Sequence, residues 1–214
     1  LTKAKPCLSL LMTWSSWTWC ATAPSDSRFK KQIFQQLFNK LIGKPMTTIV
    51  EQQNKINELL NSGRPVTLET IAQALSVTAQ EAAHLLPEGS ATFAPGSDFE
   101  SVWAAIAEWE KITFIVTAHG NVIEVETKLV TGKAAMGYYN LMGGKSPLQG
   151  HFKYGDISEI GFVTMPFLGR ESHFAAFFTT SGEVAYSMYV GREKHKLIES
   201  AKEKFLALQQ KYKA

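Results

Sequence analysis

Beyond Cys20 the chain has no cysteine; its two thiols, Cys7 and Cys20, both lie within the first 20 of 214 residues. A thiol nucleophile, a cysteine-built zinc site and a disulfide framework are therefore excluded from the main body. No run approaches about 18 consecutive apolar residues, so no ordinary membrane-spanning helix is encoded. Between Arg64 and Lys111 there is neither lysine nor arginine. The nucleophile elbow, the Rossmann fingerprint and the P-loop are all missing. Gly143-Gly144-Lys145-Ser146 imitates the end of a P-loop, but its first glycine would fall on Asn140. The segment also joins two strands, whereas a phosphate loop opens a helix. The five histidines (His84, His119, His151, His173, His195) include no i, i+4 pair of metal-ligand spacing. Hydrolytic and zinc chemistry are disfavoured.

What is present is unevenly charged. Residues 1–45 hold seven Lys/Arg and one acid, Asp26, for a net +6, and residues 46–214 net −3. The basicity belongs to the first segment, and the body would not attract a phosphate backbone. Residues 1–23 have the outline of a secretory signal: Lys3 and Lys5, an apolar stretch from Leu8 to Trp19, then Ala21-Thr22-Ala23. Ser27 to Ile42 place Phe29, Ile33, Phe34, Leu37, Phe38, Leu41 and Ile42 on one helical stripe, the pattern of a basic amphipathic helix. Met46-Thr47-Thr48 reads as an ordinary protein start. Residues 1–45 are thus a leader, an amphipathic extension or a signal, and a chain beginning at Met46 is expected to keep its function.

From residue 46 the periodicity predicts helices over 48–61, from Thr67-Leu68 to Leu75, and from Thr78 to Leu86, the last opened by a Thr78–Glu81 capping box. The short break at Ser76-Val77 suggests a helix-turn-helix. A recognition helix there would offer Gln80, Glu81 and His84 without a single cation, which argues against nucleic acid. A Ser97–Glu100 capping box predicts a further helix through Phe99, Val102, Trp103 and Ile106. The period then changes from 3.6 to 2. Strands are expected at 112–117, 122–127, 134–142, 148–154, 157–165, 173–180 and 183–190, and a long helix from Glu193 to Tyr212. Short hairpins between strands mean an antiparallel meander, and helices at both ends make the class α+β. The expected organisation is the segment 1–45, an N-terminal helical subdomain over 46–90, and a sheet domain over 91–214 with the C-terminal helix. Terminal helices cannot easily cover both faces of one sheet, which leaves surface for dimerisation or a ligand.

Groups able to bind a ligand concentrate in the strands. Tyr138 and Tyr139 must point to opposite faces, because strand side chains alternate. His151 and Lys153 share a face, and His173 opens a later strand. Histidine and tyrosinate both ligate haem iron, and Arg or Lys suits its propionates. A packed, hydrogen-bonded role is the commoner fate of any one such residue.

Gly137-Tyr138-Tyr139-Asn140-Leu141-Met142-Gly143, Gly150-His151-Phe152-Lys153, Pro166 to His173 and Tyr189-Val190-Gly191-Arg192-Glu193 occur in order along the chain. Together with Leu85-Leu86-Pro87 and the stretch from Val102-Trp103 to Glu108-Trp109, they resemble the bacterial intracellular haem carriers of the ChuX/HutX type. The resemblance covers residues 48–213. It implies helices with a large antiparallel sheet, a homodimer, and a noncatalytic cytoplasmic protein that holds imported haem and delivers it to a haem-degrading enzyme. A chain that itself degrades haem, and a domain that only dimerises, are the alternatives. His151 matches a haem-associated histidine of that family. A second family histidine falls at Thr117, with His119 two residues on. The Tyr138-Tyr139 pair is the natural substitute. The candidate iron ligands are therefore Tyr138, Tyr139 and His151, followed by His119 and His173, with Arg170 and Lys153 as propionate partners.

Overall fold

In a computed structural model the described residues are 49–144 and 146–213. The signal-like segment, the amphipathic stripe at 27–42 and both cysteines lie outside them.

Three helices lead: α1 (Ile49–Leu60), α2 (Leu68–Leu75) and α3 (Ala79–His84). Thr78 and Glu81 form the expected reciprocal cap: the Glu81 N–H reaches Thr78 Oγ1 at 3.1 Å, and the Thr78 N–H reaches Glu81 Oε2 at 2.7 Å. Thr67 and Thr70 make a second capping box on α2. The Ser97–Glu100 box does not form. The chain instead enters α4 (Phe99–Ala107) through a 3-10 turn at Gly96–Asp98. Gly96 lies so close to the Ile157 carbonyl that a Cβ there would overlap it, and Asp98 accepts hydrogen bonds from Ser101 and Tyr212 rather than capping the helix.

The main sheet has six strands: β1 (Ala91–Pro95), β2 (Ile112–Ala118), β3 (Asn121–Thr127), β7 (Ile157–Thr164), β8 (His173–Thr179) and β9 (Val184–Val190). Their order is β1-β7-β8-β9-β2-β3, antiparallel throughout. The fold is α+β, but the sheet is a meander only in parts. The hairpin β2–β3 and the run β7–β8–β9 meet at the β9–β2 seam, where Ile112 faces Val190. The strands between form a separate sheet: β4 (Lys133–Ala135), β5 (Tyr138–Leu141) and β6 (Gly150–Phe152). The expected strand 134–142 is thus two strands, broken by a tight turn at Met136-Gly137 with φ of 53° and 80°. A small hairpin, β10 (Arg192–Glu193) with β11 (Lys196–Leu197), delays the last helix, so α5 spans Glu199–Lys211.

Alternation along the strands divides the apolar residues into two cores. Phe162, Phe177, Met188, Ile112 and Phe114 face α4, α5 and the inner side of the small sheet. Val163, Phe174, Ala176 and Phe178 face α1–α3. On this second side the helices cover β7 and β8, whereas Thr113, Ile115, Val122, Ser187 and Tyr189 line an open groove of about 660 Å³. The helix 79–84 is committed to packing: Ala79, Ala82 and Ala83 are buried, and Gln80 and His84 both bond Glu159 of β7.

Candidate functional site

The small sheet sorts its residues by parity. Asn140 pairs across strands with His151, and Tyr139 with Phe152. Tyr138, Asn140 and His151 therefore share the outer face, while Tyr139, Leu141 and Phe152 point inward. Tyr139 is 3% exposed. Its ring packs 5.4 Å from Phe99 and 5.2 Å from Trp103, and its hydroxyl accepts the Gly132 N–H at 2.8 Å. Tyr139 belongs to the core and does not reach the outer face. Tyr138 stands outward, 40% exposed.

The rings of Tyr138 and His151 meet edge-on with centroids 6.1 Å apart. They line a cavity of about 1060 Å³ whose wall includes Val130, Met136, Leu141, Met142 and Lys133. Sites for small molecules and cofactors have volumes of about 300–1,000 Å³, with apolar walls and few polar groups. Met136 sits at the tip of the β4–β5 turn, 97% exposed, and Met142 is also exposed. Asn140, Lys133 and these two methionines are not among the candidates that the sequence offers as ligands or propionate partners. The β4–β5 turn that gathers them has methionine at a positive-φ position, an uncommon choice there.

Asn140 holds this face together. Its Nδ2 donates to the carbonyls of Lys133, Ala135 and Tyr138 at 2.9–3.1 Å. Its Oδ1 lies 2.6 Å from His151 Nδ1. Lys153 stands just past β6, its ammonium 2.8 Å from Asp156. The bond to Asp156, that carboxylate's charge and the nearby Tyr138 phenol all raise the Lys153 pKa.

The other candidates lie elsewhere. His119 occupies the β2–β3 turn with φ of 51°, followed by Gly120 at 79°, as a two-residue hairpin turn requires. His173 is 2% exposed, with Nδ1 2.9 Å from Thr164 Oγ1 and Nε2 2.9 Å from Glu171 Oε1. Both its ring nitrogens are engaged within the chain, and the ring is buried away from the Tyr138–His151 face. Burial lowers its pKa, opposed by the Glu171 bond. Glu171 also pairs with Lys202, and Arg192 donates to the Glu171 carbonyl. Arg170 lines the groove on the opposite side of the main sheet, away from Tyr138 and His151. Among the described residues no group of three or more His, Cys, Asp or Glu could hold a bare metal ion. No described helix is long and apolar enough to cross a membrane.

Residues 92–208 match the model of the haem utilisation family ChuX/HutX. The chain belongs to the ChuX/HutX family. Within it, the intracellular heme transport protein HutX of Vibrio cholerae is 38% identical over 167 residues, 78% of this chain and 86% of that protein. The solved structure of the heme-binding protein ChuX is 28% identical, with a TM-score of 0.63 over 72% of this chain and 96% of that one. Holo-PhuS, a heme-binding protein of Pseudomonas aeruginosa, is 16% identical. It superposes with a TM-score of 0.57 over 73% of this chain and 45% of its own, a likeness of fold alone. This ChuX/HutX chain thus carries the family's sheet together with an outward Tyr138–His151 face.

Proposed function

We propose that this ChuX/HutX chain is a noncatalytic haem carrier that holds haem on the outer face of the small sheet. The observation that carries the reading is the placement of Tyr138 and His151 side by side on an open, largely apolar cavity. The donor set suits the cargo: phenolate oxygen and imidazole nitrogen both ligate haem iron. Met136, Met142 and Val130, all exposed, offer the porphyrin apolar contact. Lys133 on the wall and Lys153 beside Tyr138 supply cations for propionates. An open site suits hand-over, and a tyrosinate that grips ferric iron loosens when the iron is reduced. The acceptor is a haem-degrading enzyme, and the exchange takes place in the cytoplasm. A second copy covers the bare half of the main sheet along β9, β2 and β3, which makes the working form a homodimer.

Titration of the chain with hemin, followed at the Soret band, tests this. One saturable site per chain is expected, with the spectrum altered in Tyr138→Phe and the affinity lowered in His151→Ala. A spectrum indistinguishable from free hemin would discard haem as the cargo. Release of iron from bound hemin in the presence of a reductant and oxygen would replace the carrier by a haem-degrading enzyme.

A further inference from the structure

The imidazole of His151 can present a lone pair from either nitrogen, and which one depends on the hydrogen bond made by the other. On this face the partner is Asn140, whose amide has no choice of orientation. Three backbone carbonyls, those of Lys133, Ala135 and Tyr138, converge on its Nδ2. Carbonyls only accept, so that atom must be the NH2 group and the other the oxygen. Oδ1 in turn can only accept from His151 Nδ1, 2.6 Å away. We infer that Asn140 is a positioning residue that locks His151 in the Nδ1–H tautomer and turns its Nε2 lone pair toward the cavity shared with Tyr138. The inference rests on the haem reading for its purpose, but not for its geometry.

The same amide sets where the two ligand groups stand. Its bonds to Lys133, Ala135 and Tyr138 brace both sides of the Met136-Gly137 turn, and its bond to His151 ties that turn to β6. Asn140 thus spans the elements that carry Tyr138 and His151. The chemistry of the partner also matters. A carboxylate on Nδ1 makes an imidazole a more basic, tighter metal ligand. A neutral amide orients the ring without that strengthening, which fits a protein that must release its cargo.

Long-range proton–nitrogen NMR on the haem-free chain reads the tautomer directly. The neutral His151 ring is expected as Nδ1–H, and Asn140→Ala is expected to release it into a mixture. A wild-type ring found chiefly as Nε2–H, or a tautomer unchanged by Asn140→Ala, overturns the inference. A double-mutant cycle with hemin supplies the second reading. Asn140→Ala should lower hemin affinity about 10- to 100-fold, the cost of losing a partner that orients a metal ligand. In a His151→Ala background the same change should cost less than about threefold if Asn140 acts through the ring. An equal loss in both backgrounds assigns Asn140 a merely structural part and sinks the proposal. A ring held as Nδ1–H in a chain that binds no hemin removes the functional reading, and with it the role of His151 toward iron.

Discussion

Replacing Tyr139 by phenylalanine deletes the acceptor that satisfies the Gly132 N–H inside the main core. An orphaned buried donor costs about 1–3 kcal/mol, so denaturant unfolding of Tyr139→Phe should show that loss while the hemin spectrum stays unchanged. Tyr138→Phe should do the reverse, shifting the ferric spectrum with little change in stability, because its side chain faces the cavity. The adjacent pair was legible in the sequence as two opposite fates, but not which tyrosine took which. That choice depends on the pairing of Tyr139 with Phe152, a partner 13 residues away. His173 gives a prediction about pH. Burial holds its pKa below the ordinary 6.5, so the unfolded chain takes up the proton first as pH falls. Stability should therefore decline through the window from about 6.5 down to the lowered value. The lowered pKa of Glu171 adds a contribution present above the ordinary carboxylate range and lost at lower pH still. Melting temperatures measured from pH 7.5 to 5 should fall, and His173→Gln should flatten the upper part of that fall.

Elements were readable where their signals are local. The Thr78–Glu81 box, the short hairpin joining β2 to β3 and the stripe of α4 each lie within a few residues, and each forms as expected. Strand β1 was missed, since Ala91–Pro95 has little pattern of its own and becomes a strand by pairing with β7. The break at Met136-Gly137 was missed because methionine does not advertise a left-handed turn, whereas Asn or Asp would. The site face depends on that unseen turn, which explains why Asn140, Lys133 and Met136 escaped notice. Its packing can be probed at Gly132, where a Cβ would fall 2.6 Å from the Asn140 carbonyl and 2.8 Å from the Tyr139 ring. Gly132→Ala should push β4 off β5, disturb the Tyr138–His151 face and weaken hemin binding at least tenfold, read in the same titration. Normal binding by that variant would show that the small sheet tolerates separation of its strands.

At the scale of the molecule one side of the main sheet is covered except along β3, where Ile123 stays exposed, and the other side is covered only over β7 and β8. The open half carries Ile115, Val122 and Tyr189 among charged residues such as Glu124 and Arg170, and it runs to the exposed edge strand β3, whose unpaired backbone invites a partner. Sedimentation should find a dimer, and Val122→Glu should shift it toward monomer without loss of secondary structure. A chain started at Met46 should melt and bind hemin as the full chain does, since the described residues that form the two cores all lie after it. That the sheet would be left partly bare was visible in the order of helices and strands; which half stays bare was not, since it follows from the β9–β2 seam.

That seam also sets an order of events as the chain leaves the ribosome. The hairpin β2–β3 can close as soon as residue 127 emerges, but its other edge waits for β9, which begins at Val184. Until then Ile112, Phe114 and Val116 sit on a strand with one unpaired side, the kind of segment that recruits other chains. Nascent chains halted before residue 184 should aggregate, and the small sheet, docked on an unfinished core, should gain its hemin face only after β9 has closed the seam.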